Sequence, residues 1–149
     1  MVLAADSNAT LGTSSLTVTL QDDDPKSKCS FETTGITFAE SAGAVKVPIE
    51  LDKPSGFDTE ITYVYEDDSA TDGDDYTIVY GTITIPAGSI RDSITVNIVD
   101  DNLAEETESI LFTITDVGGN TDFGAYTETT LNITDEDNPP ADFTVGEIP

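Results

Sequence analysis

The chain of 149 residues contains no histidine, no tryptophan, one cysteine and only five basic residues. Without histidine it lacks the commonest general base and the usual ligand of zinc and copper. With Cys29 alone, no disulfide can form within the chain and no cysteine-rich metal site can be built. Cys29 lies in a stretch that reads as a linker, where a thiol is incidental. No glycine-rich phosphate loop, Cys-x-x-Cys pair or nucleophile elbow occurs. Paired carboxylates could in principle run a glycosidase, but the aromatic sugar platforms of such sites are missing. The chain is therefore expected not to be an enzyme. No apolar run approaches the length of a membrane span, and Met1-Val2-Leu3-Ala4-Ala5 does not read as a signal peptide.

Basic charge is scarce where it is most needed. Lys26, Lys28, Lys46, Lys53 and Arg91 face 30 Asp and Glu, and nothing basic follows Arg91. Some of the densest acidic runs lie beyond that point, so salt bridges cannot neutralise them. A balance this negative also argues against nucleic acid and anionic membranes as partners.

What is abundant is β-forming. Thr, Ile, Val and Tyr are frequent, apolar runs are short and alternating, and no stretch shows a helical period. Strands are predicted over 36–40, 44–51, 60–67, 78–85, 91–99, 108–117 and 126–134. Turn signals separate them: Ser41-Ala42-Gly43, Lys53-Pro54-Ser55-Gly56, Pro86-Ala87-Gly88 and Gly118-Gly119-Asn120. Seven short strands at regular spacing predict an all-β fold, a seven-stranded antiparallel immunoglobulin-like β-sandwich. About 110 foldable residues suffice for one modest core.

Four of these strands share an unusual pattern. Ile36-Phe38-Glu40, Ile61-Tyr63-Tyr65-Asp67, Ile94-Val96-Ile98-Asp100 and Leu131-Ile133-Asp135 are apolar rows that continue, in phase, into a carboxylate. Every second side chain of a strand lies on one face, so each acid points the same way as the core residues before it. A lone ionised carboxylate at a core edge is costly unless something pairs with it. If successive strands alternate in direction, all four acids meet at one tip of the sandwich. The runs Asp100-Asp101-Asn102-Leu103-Ala104-Glu105-Glu106-Thr107-Glu108 and Asp135-Glu136-Asp137 fall at the same tip.

Such an all-oxygen, carboxylate-rich site on loops suits a hard cation. Calcium accepts six to eight oxygens at flexible angles, whereas magnesium demands a tight octahedron. So many acids together suit more than one calcium ion. Two familiar calcium formats fail here. Asp68 to Val79 matches an EF-hand loop only at Asp72-Gly73, and the glycine-rich nonapeptide repeat is absent.

The chain also echoes itself. Asn8-Ala9-Thr10-Leu11-Gly12 resembles Asn120-Thr121-Asp122-Phe123-Gly124. Val18-Thr19-Leu20-Gln21-Asp22-Asp23-Asp24 resembles Leu131-Asn132-Ile133-Thr134-Asp135-Glu136-Asp137, and Phe31 follows the first acidic triplet much as Phe143 follows the second. A period of about 112 residues is a whole domain. Residues 1–24 then read as the C-terminal remnant of a preceding repeat and 25–30 as a linker. Residues 31–137 form one domain, and 138–149 a linker with the start of a following repeat.

From Ile36 to Asp137 the chain resembles the Calx-β domain, the calcium-binding β-sandwich of sodium/calcium exchangers, integrin β4 and bacterial surface proteins. The matching elements are Glu40, then Glu66-Asp67-Asp68-Ser69-Ala70-Thr71-Asp72-Gly73-Asp74-Asp75-Tyr76, Gly81-Thr82-Ile83-Thr84-Ile85-Pro86-Ala87-Gly88, Ile98-Val99-Asp100-Asp101, Glu105-Glu106-Thr107-Glu108 and Asp135-Glu136-Asp137. The resemblance implies calcium ligands at Glu40, Asp67, Asp100, Asp101, the backbone carbonyl of Leu103, Glu105, Glu108, Asp135, Glu136 and Asp137. Asn102 and Glu136 depart from aspartates common in the family, and Asn102 removes one negative charge. Asp75-Tyr76 matches a family pair read here as structural, so Asp75 stays outside the ligand set.

Two classes of function follow as expectations. One is a calcium-rigidified spacer or adhesive arm in a multi-repeat extracellular or cell-surface protein of bacterial type, contacting neighbouring repeats and a protein or glycan partner. The exchanger-like regulatory calcium sensor is its intracellular counterpart. The other is a ligand- or glycan-binding accessory module, for which Tyr63, Tyr65, Tyr76, Tyr80 and Tyr126 are the aromatic candidates.

Overall fold

Alternating apolar rows become ten strands in a computed structural model that describes residues 15–21, 23–79 and 81–137. They are β1 (Ser27–Phe31), β2 (Gly35–Ala39), β3 (Ala44–Leu51), β4 (Thr59–Asp67), β5 (Tyr76–Ile78), β6 (Thr82–Ile85), β7 (Arg91–Ile98), β8 (Glu108–Val117), β9 (Thr121–Phe123) and β10 (Glu128–Thr134). One sheet has the order β5-β7-β3-β1-β9 and the other β2-β10-β8-β4-β6. The inward rows of both sheets meet in a single core, in which Phe31, Val47, Ile49, Ile61, Tyr76, Ile94, Val96, Ile110, Phe112 and Leu131 are almost wholly buried. No helix among the described residues is long and apolar enough to cross a membrane.

The expected sandwich is present, and its strand count differs for a physical reason. The row predicted over 78–85 breaks in two: β5 pairs with β7 in one sheet, whereas β6 pairs with β4 in the other. The chain also changes sheets between β1 and β2, so each of these strands lies beside a late strand. β1 runs parallel to β9, and β2 runs parallel to β10. The pairing is thus antiparallel except at these two seams.

Part of the stretch 25–30, expected as a linker, is a strand. Ser27, Cys29 and Phe31 point inward with exposures of 4%, 0% and 1%, and β1 is bonded on both sides. Cys29 is therefore a core residue, and burial pushes its thiol up to about 11. The short row of small residues conceals a buried strand because its neighbours are supplied by distant parts of the chain.

Strand β8 loses its regular alternation after Ile114 because of a bulge. Opposite Thr62 and Tyr63 it places Asp116 and Ile114, leaving Thr115 as an extra residue. Val117, rather than Asp116, then packs against the core. Beyond the sandwich, Leu16, Val18 and Leu20 are exposed at 86%, 71% and 92% and belong to no strand.

Candidate metal centre

Strands β2, β4, β7 and β10 all run toward one tip. β2 is parallel to β10, and β4 reaches the same direction through two antiparallel pairings across β8. Glu40 leaves the end of β2 into a single 3-10 turn, Glu40–Ala42, and is 6% exposed. Gly43 closes that turn at a φ of 66°, in the left-handed region that favours glycine. Its carbonyl accepts the Ile98 N–H at 2.9 Å, tying the turn to the end of β7.

Past β7 the chain wraps around Glu40. The Asp101 N–H donates to Glu40 Oε1 at 2.7 Å, and the Leu103 N–H donates to Asp101 Oδ1 at 2.6 Å. The Glu105 and Asp137 N–H groups donate to the two oxygens of Asp135, at 3.0 and 2.8 Å. Glu136 accepts the Ser41 N–H at 3.2 Å and the Ser41 hydroxyl. Backbone amides therefore hold this segment in place with its carboxylates drawn together.

Two groups of three carboxylates result. Glu40, Asp135 and Asp137 place oxygens within 4.8 Å of one another, and so do Asp75, Glu105 and Glu108. A narrow cavity lined by Glu40, Asp75, Glu105, Glu108 and Asp135 borders both groups, with Val99 and Ile133 as its apolar wall. Asp100 and Asp101 stand close enough to act on Glu40 by charge. Asp67 belongs to neither group. Its Oδ1 accepts the Tyr76 hydroxyl instead.

Asp75 ends no apolar row and stands outside the ligands expected from sequence, and the fold brings it to the cavity. Its carbonyl accepts the Val99 N–H at 2.9 Å and its carboxylate the Thr71 N–H at 2.6 Å. Strand phase picks out acids that end an apolar row, and Asp75 ends a loop. The signal in the sequence is the Asp75-Tyr76 pair, whose tyrosine is wholly buried.

The electrostatics are those of crowded like charges. Burial, then contact with Asp75 and the charges of Glu105 and Glu40, pushes Glu108 up to about 7. The Asp101 N–H lowers Glu40, but burial and the charges of Asp101, Asp135 and Asp100 outweigh it and the carboxyl is raised. Asp137 is raised by burial and then by Asp135, Asp100, Asp101 and Glu136. Asp135 is lowered by its two amide donors.

Among the described residues no basic side chain relieves this crowding. Among the described residues the ion pairs are Lys26–Asp122 and Arg91 with Glu32 and Glu50, all away from the tip. Asp137 Oδ2 is buried and, among the described residues, accepts no hydrogen bond. A buried carboxylate oxygen without a partner costs stability unless a cation meets it. The donor set, all oxygen and mostly carboxylate, fits a hard divalent ion of flexible coordination.

The aromatic candidates distribute differently. Tyr63, Tyr65 and Tyr76 are core residues at 6%, 7% and 0% exposure, while Tyr126 is 47% exposed. Tyr80 lies outside the described residues.

A family model described as the Calx-beta domain matches residues 22–137. The chain is similar in structure to the apo-form Calx CBD1 domain, with a TM-score of 0.69 and 20% identity over 75% of this chain and 99% of that one. The Calx CBD2 domain is similar at a TM-score of 0.69 and 14% identity, over 78% and 91% of the two chains. The calcium binding domain CBD12 of CALX1.1 is similar at 0.68 and 21% identity, over 74% of this chain and 45% of that one. At these identities the structural likeness shows the fold. Among curated proteins none matches this chain.

Proposed function

The chain belongs to the Calx-beta domain family, and on that premise we propose that it binds calcium at the carboxylate tip, taking more than one ion. Glu40, Asp135 and Asp137 would hold one ion, and Asp75, Glu105 and Glu108 another. Asp100, Asp101, Glu136 and the Leu103 carbonyl would complete the shells. The observation that carries this reading is the buried Asp137 oxygen, which among the described residues has no hydrogen bond and lies in a cluster that no basic side chain reaches. Bound calcium supplies the positive charge that the sequence withholds.

We further propose that the module is a calcium-rigidified spacer or adhesive arm of a repeat-built protein at a bacterial cell surface. The exposed row Leu16, Val18 and Leu20 supports the repeat reading, since an alternating apolar row without a core suits a neighbouring unit. Calorimetric titration with calcium tests both levels. Heat with a stoichiometry above one ion per chain supports the tip. A dissociation constant in the range of about 0.1–1 mM favours an extracellular module, and one near about 1 µM favours a regulatory sensor. No binding at millimolar calcium would overturn the reading.

A further inference from the structure

The loop 68–75 leaves β4 at Asp67 and returns to β5 at Tyr76, carrying Asp75 to the cavity. Its backbone is held at the start, where the Ser109 carbonyl accepts the Asp68, Ser69 and Ala70 N–H groups at 3.3, 3.2 and 3.1 Å. Within the loop, the Asp74 and Asp75 N–H groups both donate to the Thr71 carbonyl, at 3.2 and 3.0 Å.

Two side-chain bonds cross the mouth of the loop. Tyr65 of β4 donates its hydroxyl forward to Asp72 Oδ2 at 3.2 Å, and Tyr76, after the loop, donates its hydroxyl back to Asp67 Oδ1. The two rings meet edge to face at 5.9 Å and 76°. Both rings are buried, at 7% and 0% exposure, so their hydroxyls need fixed acceptors rather than water. Asp67 and Asp72 supply those acceptors. Since Tyr76 directly follows Asp75, the anchored ring fixes the backbone from which Asp75 reaches Glu105 and Glu108.

We propose that Tyr65–Asp72 and Tyr76–Asp67 form a crossed latch that positions Asp75 for calcium, with Asp67 acting as a hydrogen-bond acceptor and not as a metal ligand. This inference rests on the reading of Asp75, Glu105 and Glu108 as a calcium group. Asp67 ends an apolar row like the other strand-end acids, yet it is spent on a phenol. Asp75 has the carboxylate that meets the cluster.

Calorimetric calcium titration of the full chain tests the latch, with melting in chelator as a second readout. Asp67→Ala and Tyr76→Phe each remove one side of a bond and are expected to weaken calcium about 10-fold, the scale of losing a partner that orients a metal ligand. Stoichiometry should be unchanged in both. Asp67→Asn keeps an acceptor oxygen for Tyr76 and is expected to restore affinity to within about 3-fold of the unaltered chain. Asp75→Asn, by contrast, is expected to lose an ion from the stoichiometry. The latch is overturned if Asp67→Asn loses an ion as Asp75→Asn does, because Asp67 is then a ligand. It is equally overturned if Asp67→Ala lowers melting in chelator and leaves calcium affinity unchanged, since the bond is then structural only. Absence of calcium binding by the unaltered chain would instead remove the calcium reading itself, and the latch with it.

Discussion

Glu40 and Asp137 lie almost a whole domain apart in the chain, and their carboxylate oxygens stand within 4.8 Å of each other. Glu40 is 6% exposed, and among the described residues Asp137 Oδ2 has no hydrogen-bond donor. Such a contact between acids persists at a cost in the metal-free chain. Calcium is therefore expected to raise the melting temperature. At free calcium about 100 times the dissociation constant, one site adds about 2.7 kcal/mol, a shift of roughly 10 °C for a domain of this size. Equal melting temperatures in chelator and in saturating calcium would sink the proposal.

Single acids at the tip should matter more than equal charges elsewhere. Asp101 accepts the Leu103 N–H while its own amide grips Glu40, whereas Asp92 accepts the amide next to it at the far end of β7. Asp100→Ala and Asp101→Ala are expected to weaken calcium binding by at least about 10-fold, and Asp92→Ala by less than about 2-fold. Parallel titrations decide this, and similar losses in all three would mean diffuse attraction rather than coordination.

The metal-free protein should lose stability as pH rises. Glu108 sits at about 7 in the fold against an ordinary value of 4.5, so between those values the folded chain holds a proton that the unfolded chain has released. Stability from this group is present below 4.5 and is lost as pH climbs through about 7. Glu40, Glu105 and Asp137 are also raised and act with the same sign. Asp135 is lowered, and its contribution falls away only in more acid solution. Melting in chelator is expected to be higher at about pH 5.5 than at about pH 8, and calcium, which needs ionised carboxylates, should bind more tightly at about pH 8. A flat pair of profiles would contradict the crowding.

The boundary of the domain can be tested at Phe31. It is 1% exposed on β1, so Phe31→Ala is expected to cost about 3–5 kcal/mol in denaturant unfolding. Leu20, at 92% exposure, should tolerate alanine within about 0.5 kcal/mol. Deleting residues 1–24 is expected to leave folding and calcium binding intact. A loss above about 2 kcal/mol would make that segment an integral part of the sandwich.

By itself the sequence determined the all-β class and the inward rows, because alternation is a local property of a strand. It also determined that Glu40 and Asp135 point with the core at the ends of their strands, and that basic side chains are too few to meet the acids beyond Arg91. The resemblance added Glu105, Glu108 and Asp137, which end no apolar row. Tertiary structure decided what depends on neighbours from elsewhere in the chain. Ser27–Phe31 is a strand only because β3 and β9 flank it. Phase gives Asp67 and Glu40 the same direction, yet a buried phenol takes the first and an acidic cluster surrounds the second. Asp75 follows no strand pattern, and the folding of loop 68–75 alone brings it to Glu105 and Glu108. Phase sets the direction of a carboxylate, whereas its partner is set by whichever distant segment the fold packs beside it.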